Sequence, residues 1–221
     1  QEAAWEIPQQ SGPNGGTLTT AGGLLFQGRA DGILAAYDAE SGEELWSFNA
    51  GLGITAAPIT YELNGRQYVS MLVGWGGGSA GLGALFSTDE FSARHLGWDY
   101  GKHMRRLVTF SLEGTADMPA LPPPYFPQPI EAADFDIDPV LAQQGAMEFG
   151  ACLGCHGLDA LAAGMAPDLR ASPIPLNSEG FAAVVRDGAL VARGMPGTPG
   201  ITDAQLQALQ HYIRQRARET L

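Results

Sequence analysis

Cys152-Leu153-Gly154-Cys155-His156 is the stretch on which the reading of this chain turns. Two cysteines separated by two residues, with a histidine immediately after, form the pattern of a c-type haem attachment. Each thiol can add to one vinyl group of a haem as a thioether. The adjacent imidazole is then held beneath the iron, its neutral nitrogen available as an axial ligand. A redox dithiol and half of a zinc site are the other readings of such a pair. The redox motif belongs beside a βαβ pattern and does not need the histidine. Structural zinc wants four ligands, and the chain has only two cysteines, with no second Cys/His pair.

Working outward, the flanks resemble monohaem cytochromes c. These carry a helix before the motif, a proline-containing loop after it, a later methionine as sixth ligand and a C-terminal helix. Ile137 to Gly150 reads as a helix, with Val140, Leu141, Ala142, Gly145 and Phe149 at near-helical spacing. Gly145 costs helix propensity; the resemblance implies that it lets the C-terminal helix approach closely. Ala166-Pro167-Asp168-Leu169 matches the loop whose proline carbonyl accepts a hydrogen bond from the axial histidine, which would fix the ring orientation. Two methionines compete for the opposite axial place. Met165 is nine residues past His156, close for crossing to the other face, and reads as a core filler. Met195, in Arg193-Gly194-Met195-Pro196-Gly197, can wrap round the ring on a rigid Gly/Pro loop. His156 and Met195 are therefore the expected axial pair.

Ser178 to Asp187 reads as a short helix with Phe181, Val184 and Val185 inward. Thr202-Asp203-Ala204-Gln205 is a capping box opening the last helix. Leu206, Leu209, Tyr212 and Ile213 form its apolar stripe, and Arg214, Arg216 and Arg218 suit its C-terminal end. Arg170 and Arg193 are candidates to pair with haem propionates, or plain surface arginines.

The 221 residues suffice for one large or two small domains. A formal charge of -12, from 24 acidic and 12 basic residues, disfavours nucleic acid, which needs a basic footprint. It serves solubility or an acidic docking face for a basic redox partner. The densest acidic run, Glu131 to Asp138, falls between the two halves of the chain. No stretch reaches the ~18 uninterrupted apolar residues that suggest a membrane helix. No charged-then-apolar leader opens the sequence, so Gln1 reads as a processed end. The cytochrome resemblance implies a periplasmic location.

Before residue 135 the pattern changes. Short β-type runs alternate with Gly, Asn and Asp turns: Ala3 to Ile7, Thr17 to Thr20, Leu24 to Gln27, Ile33 to Tyr37 and Glu44 to Phe48. Ala57 to Leu63, Gln67 to Val73 and Leu107 to Leu112 follow. Ala30-Asp31-Gly32 and Leu63-Asn64-Gly65-Arg66 read as hairpin turns that need positive φ. Ser79 to His103 is a long loop, a cap over an active site or a face against the cytochrome, with His95 and His103 read as surface residues. Glu113 to Pro139 holds seven of the fifteen prolines, and so reads as a stiff extended strap.

Within the first half, Ala36-Tyr37-Asp38-Ala39-Glu40-Ser41-Gly42-Glu43-Glu44-Leu45-Trp46 resembles the tryptophan-docking motif of the eight-bladed propellers of pyrroloquinoline quinone (PQQ) dehydrogenases. Only a threonine differs, as Ser41. Gly15-Gly16-Thr17-Leu18-Thr19-Thr20-Ala21-Gly22, Leu25-Phe26-Gln27-Gly28, Pro58-Ile59-Thr60-Tyr61, Gly65-Arg66-Gln67-Tyr68-Val69 and Gly74-Trp75-Gly76-Gly77 continue the likeness to the closing blades of quinohaemoprotein alcohol dehydrogenases. That family joins an N-terminal propeller to a C-terminal cytochrome c. The resemblance implies a partial eight-bladed β-propeller over residues 1–112, a linker over 113–136 and an all-α class I-type cytochrome c domain over 137–221.

The chain holds material for about one to two four-stranded blades of such a ring. Bare blade faces and edges are unstable alone, so the expectation is a larger partner chain that completes the propeller. That partner would carry the calcium and the catalytic base. Haem c would be bound covalently through Cys152 and Cys155, and PQQ shared with the partner. The family implies that Asn14, Gly74 and Trp75 approach the quinone; a turn role for Asn14 and a blade-core role for Trp75 are the alternatives. The expected activity is oxidation of an alcohol-type substrate, with electrons leaving through the haem to an external acceptor. The rival is an electron-transfer cytochrome c with a β docking module.

Overall fold

Turn chemistry sets the first half of the chain in the computed structural model, which describes residues 3–9, 14–74, 97–99, 101–162 and 166–220. Strands β1 (Thr17–Thr19), β2 (Leu24–Gly28), β3 (Ile33–Asp38) and β4 (Glu44–Asn49) form a four-stranded antiparallel meander in sequence order. Strands β5 (Ile59–Leu63), β6 (Arg66–Val73) and β7 (Arg106–Phe110) form a second, three-stranded one. The β5–β6 hairpin turns through Asn64 and Gly65, whose φ values of 55° and 74° are those an Asn-Gly turn supplies without strain. Contacts divide the chain between Phe126 and Pro127 into two compact units.

In the first unit, β3 is buried on both faces at Leu34, Ala35, Ala36 and Tyr37, while β7 alternates between half-buried and exposed residues. Leu34, Met71 and Val73 are buried with Ala50, Leu52, Ile54 and Trp98, and Phe48, Val108 and Phe110 pack against them. Trp46 stacks on Phe48 at 6.2 Å and meets Phe110 edge-on at 5.5 Å. The outward face of the second sheet stays bare. Its register places Ile59, Tyr61, Leu63, Leu72 and Leu107 on one side, and all five are exposed. These are open, blade-type sheets that do not close into a ring.

The residues expected as a first strand, Ala3 to Ile7, have no ladder. Trp5 instead lies over Gly42 and donates its indole N–H to the Ala39 carbonyl at 3.2 Å. A Cβ on Gly42 would meet the Trp5 ring at 2.7 Å, so the segment serves as a cover for the β3–β4 turn. His103 is a second correction: it is buried, not on the surface. Its Nδ1 accepts from the Asp99 N–H at 3.0 Å, and Nε2 lies 3.2 Å from the Pro123 carbonyl. Arg106 also donates to the carbonyls of Pro119 and Ala120, at 2.6 and 3.1 Å. The strap up to Phe126 is thus held to its own unit by backbone acceptors, which a proline-rich segment has in full although it lacks donors.

The second unit is helical. Its helices are α1 (Pro139–Glu148), α2 (Leu153–His156), α3 (Ser178–Val185) and α4 (Asp203–Arg218). Asp138 caps α1 by accepting from Val140 and Leu141, with Pro139 at the first helical position, where its missing N–H costs nothing. The capping box of Thr202 and Gln205 opens α4. Gly145 of α1 sits against α4 so closely that a Cβ there would strike the Ala208 carbonyl and approach Tyr212 Cβ at 2.8 Å. Phe149, Phe181, Val185, Leu206, Leu209, Tyr212 and Ile213 make the core. No helix among the described residues is long and apolar enough to cross a membrane.

Candidate metal centre

The cysteine-histidine motif lies on one continuous turn. A 3-10 segment, Phe149–Cys152, runs straight into α2, which ends at His156. Phe149 anchors this turn in the core, with its ring 5.0 Å from that of Tyr212. Cys152 and Cys155 are half-buried, and neither is in a disulfide. Burial, and then the neighbouring Cys155, push the Cys152 thiol up from its ordinary range.

His156 is buried, and its Nδ1 lies 3.1 Å from the Pro167 carbonyl oxygen. A carbonyl can only accept, so Nδ1 carries the proton and Nε2 keeps its lone pair. Burial lowers the pKa of His156 below its ordinary value; the Pro167 contact and the charge of Asp168 oppose this without reversing it. A neutral imidazole with one nitrogen tied and the other basic is the form that ligates a metal. After Gly157, Asp159 and Ala160 take φ values of 56° and 59°. Such left-handed non-glycine residues cost on the order of 1 kcal/mol each and collect at functional sites.

The proline loop is fixed by charge. Asp168 Oδ1 accepts from the Arg170 backbone N–H at 2.9 Å and from its Nε at 3.0 Å, while Oδ2 accepts from Nη2 at 2.7 Å. Arg170 is therefore committed to Asp168, and both are buried. Arg193 is exposed at the end of a 3-10 turn, Val191–Arg193. Met195 follows Gly194, whose φ is +91°, and packs half-buried against the core that Cys152 and Leu153 also touch. Met165 lies outside the described residues.

The three arginines of α4 do not simply face its C-terminal dipole. Arg216 pairs with Asp159 at 3.4 Å and with Glu219. Arg218 donates to the carbonyls of Ala132 and Phe135, at 3.1 and 2.8 Å. Arg214 is buried and reaches the proline loop. Sequence reasoning missed that reach. The available signal was spacing: Arg214 stands four and eight residues past Gln210 and Leu206, on their buried face.

Among the described residues no three His, Cys, Asp or Glu side chains converge as a metal cluster. The motif instead presents two unpaired thiols and a neutral imidazole, with Met195 packed on the same core, donors that suit covalent haem. On the other unit, Asn14 Oδ1 accepts from the Ala30 N–H at 2.7 Å. Gly15 and Gly74 donate to the carbonyls of Ile54 and Gly53, at 3.1 and 2.8 Å. Gly15, next to Asn14, and Gly74 thus both meet one dipeptide, Gly53-Ile54. Gly74 has φ +121°, a conformation that glycine alone adopts easily. Trp75 lies outside the described residues. The groups that meet beside Gly53-Ile54 are backbone amides and carbonyls, with the Asn14 side chain turned to the Ala30 N–H.

Comparison with known proteins agrees with this two-part chemistry. Residues 2–69 match the family "Glucose/ethanol/alcohol dehydrogenase, beta-propeller domain", and residues 142–213 match "Cytochrome C oxidase, cbb3-type, subunit III". Quinohemoprotein alcohol dehydrogenase ADH IIB of Pseudomonas putida is 38% identical over 99% of this chain, which spans 31% of that relative's length. Lupanine 17-hydroxylase [cytochrome c] of a Pseudomonas species is 39% identical over 98% of the chain and 30% of its own length. The solved structure of ADHIIG from P. putida covers 99% of the chain at 35% identity and a TM-score of 0.77; the chain covers 30% of it. Blade-type sheets followed by a cytochrome c domain define the class. The chain belongs to the quinohaemoprotein alcohol dehydrogenase family and spans about three-tenths of the length of these relatives.

Proposed function

We propose that this chain is the electron-exit part of a PQQ- and haem c-dependent alcohol dehydrogenase. The observation that carries the reading is the buried, neutral His156, tied to Pro167 on the same turn as two unpaired thiols, in a chain that also bears open propeller blades. Cys152 and Cys155 would hold the haem as thioethers, and His156 and Met195 would be its axial ligands. Pro167 orients His156, and Arg193, exposed two residues before Met195, is the arginine left for a propionate, since Arg170 is taken up by Asp168. Asn14, Gly74 and Trp75 form the quinone side. When bound, PQQ would supply two-electron oxidation of an alcohol and the haem one-electron transfer.

This chain's own residues bind and orient. The tied Nδ1 keeps the imidazole in one tautomer, and Phe149 anchors the attachment turn in the core. The blades are taken as 1–112, the linker as 113–136 and the cytochrome domain as 137–221, with the linker divided between the two compact units after Phe126. The exposed face of Ile59, Tyr61, Leu63, Leu72 and Leu107 suits burial against a larger portion carrying the remaining blades, the calcium and the base that takes the hydroxyl proton. The location is periplasmic, and the acceptor is an external redox protein or quinone.

Native mass spectrometry of the protein as isolated tests this. An assembly containing the remaining propeller, one haem, calcium and PQQ is expected. A stable lone chain carrying haem alone would overturn the dehydrogenase and leave an electron carrier.

A further inference from the structure

Arg214 is 2 % exposed, and its guanidinium is held by backbone carbonyls. Nη2 donates to Leu169 at 3.0 Å and to Arg170 at 3.1 Å, and Nη1 to Ile130 at 3.4 Å. Burial lowers its pKa from the usual arginine value, and the charge of Asp168 offsets part of that. A well-packed apolar side chain would avoid this desolvation altogether. What an apolar side chain cannot do is hold three carbonyls in one plane, which a guanidinium fork does.

Those carbonyls belong to two segments that meet nowhere near each other in sequence. Leu169 and Arg170 continue the loop whose Pro167 carbonyl receives His156 Nδ1–H. Ile130 lies on the incoming chain just before α1, and its own N–H donates to the Arg170 carbonyl at 3.0 Å. Asp168 closes the loop on Arg170. A continuous set of bonds therefore runs from Ile130 through Arg214 and residues 168–170 to Pro167 and His156.

Resting on the haem reading above, we infer that Arg214 is a positioning residue for the axial histidine. Its fork keeps the Pro167 carbonyl aimed at Nδ1. It also registers the incoming segment on the same loop, so that docking of Ile130 and the donor strength of the imidazole are coupled. A strong Nδ1–H···O=C bond makes the ring a better donor and favours ferric iron. Loosening the loop weakens that bond and favours the ferrous state.

The test uses the full holoprotein with Arg214→Lys, which keeps the charge and removes the planar fork, and Ile130→Pro, which removes the N–H given to Arg170 together with the isoleucine side chain and fixes φ there. Redox titration of the haem is read beside the low-spin ferric EPR g-values and the melting temperature. Arg214→Lys is expected to raise the midpoint potential and shift the g-values, with Ile130→Pro moving both the same way by less. A lowered melting temperature with potential and g-values at the wild-type position would overturn the inference and leave a structural arginine. A fall in potential would overturn it too. If Arg214→Lys does not fold, Ile130→Pro decides alone by the same two readouts. Wild-type protein without a histidine-ligated low-spin haem would instead sink the haem reading itself.

Discussion

His156 and Pro167 stand 3.1 Å apart, imidazole Nδ1 to backbone carbonyl, and this contact assigns every other group at the motif its part. It leaves Nε2 as the basic nitrogen, and it makes the orientation of one peptide plane a property of the metal site. The residues that follow that plane are tied by the Asp168–Arg170 pair and by Arg214, which donates to the Leu169 and Arg170 carbonyls. Helix α4 therefore does more than cover the motif: through Arg214 it fixes the loop that aims the histidine.

The opposite axial position separates the two methionines. Met195→Leu keeps the packing but removes the thioether, which favours ferrous iron. The variant is expected to lose the ferric absorption band of methionine-ligated haem and to show a lower midpoint potential. Met165→Leu should leave both unchanged. The reverse pattern in visible spectra and redox titrations would transfer the ligand role to Met165.

Gly145 sets two opposing effects against each other. Replacing a helical glycine with alanine gains about 0.5–1 kcal/mol of helix propensity. At Gly145 the new methyl meets the rigid Ala208 carbonyl and Tyr212 Cβ at 2.8 Å, and overpacking of this kind costs about 1–3 kcal/mol. Gly145→Ala is thus expected to destabilise the cytochrome unit by roughly 1–2 kcal/mol in denaturant unfolding. Gly150→Ala, with nothing within 4 Å of its Cβ position, should be neutral or stabilising. Equal behaviour of the two variants would show that α1 can move away.

Features fixed by neighbouring residues were legible in the sequence. The Asn64-Gly65 turn, the Thr202–Gln205 capping box and the cysteine-histidine turn each need only a few consecutive side chains. Helix ends shifted because caps outrank periodicity: α1 begins at Pro139 since Asp138 takes its first amides, and Phe149 onward tightens into a 3-10 turn. Residues whose roles come from distant partners were not legible. Trp5 covers a turn 34 residues on, judged by its bond to Ala39, and Arg214 meets a carbonyl 84 residues back. Local pattern places His103 on the surface, because the Pro123 carbonyl it meets lies 20 residues away.

His103 predicts how the strap is held. Its Nδ1 is an acceptor for the Asp99 N–H and its Nε2–H a donor to Pro123, so removing the ring takes away both contacts at a buried position. His103→Ala should cost about 1–3 kcal/mol, the usual range for leaving buried polar groups unmatched. Hydrogen exchange at Asp99 and proteolysis between Pro119 and Phe126 should both speed up, while the haem spectrum stays as in the wild type. Unchanged proteolysis would mean that the Arg106 contacts suffice to hold the strap.

Ser41 replaces the threonine of the tryptophan-docking motif, and its role is readable in how Asp38 titrates. The Ser41 N–H and hydroxyl donate to Asp38 Oδ1 at 2.8 and 3.0 Å, and the Glu40 N–H at 3.0 Å. Those bonds, led by the Ser41 amide, hold the folded carboxyl below its ordinary value. The unfolded chain titrates near 3.9, so the unfolded state binds the proton first as pH falls. The stabilisation is complete above about pH 4 and is lost as pH drops through the lower folded value. Wild type and Asp38→Asn should therefore differ in stability near neutrality and converge in acid. Ser41→Ala should bring the Asp38 titration back toward the unfolded value, and Ser41→Thr should not. An Asp38 carboxyl that titrates at the ordinary position in the wild type, followed by carboxyl NMR, would refute this account of the turn that places Trp46.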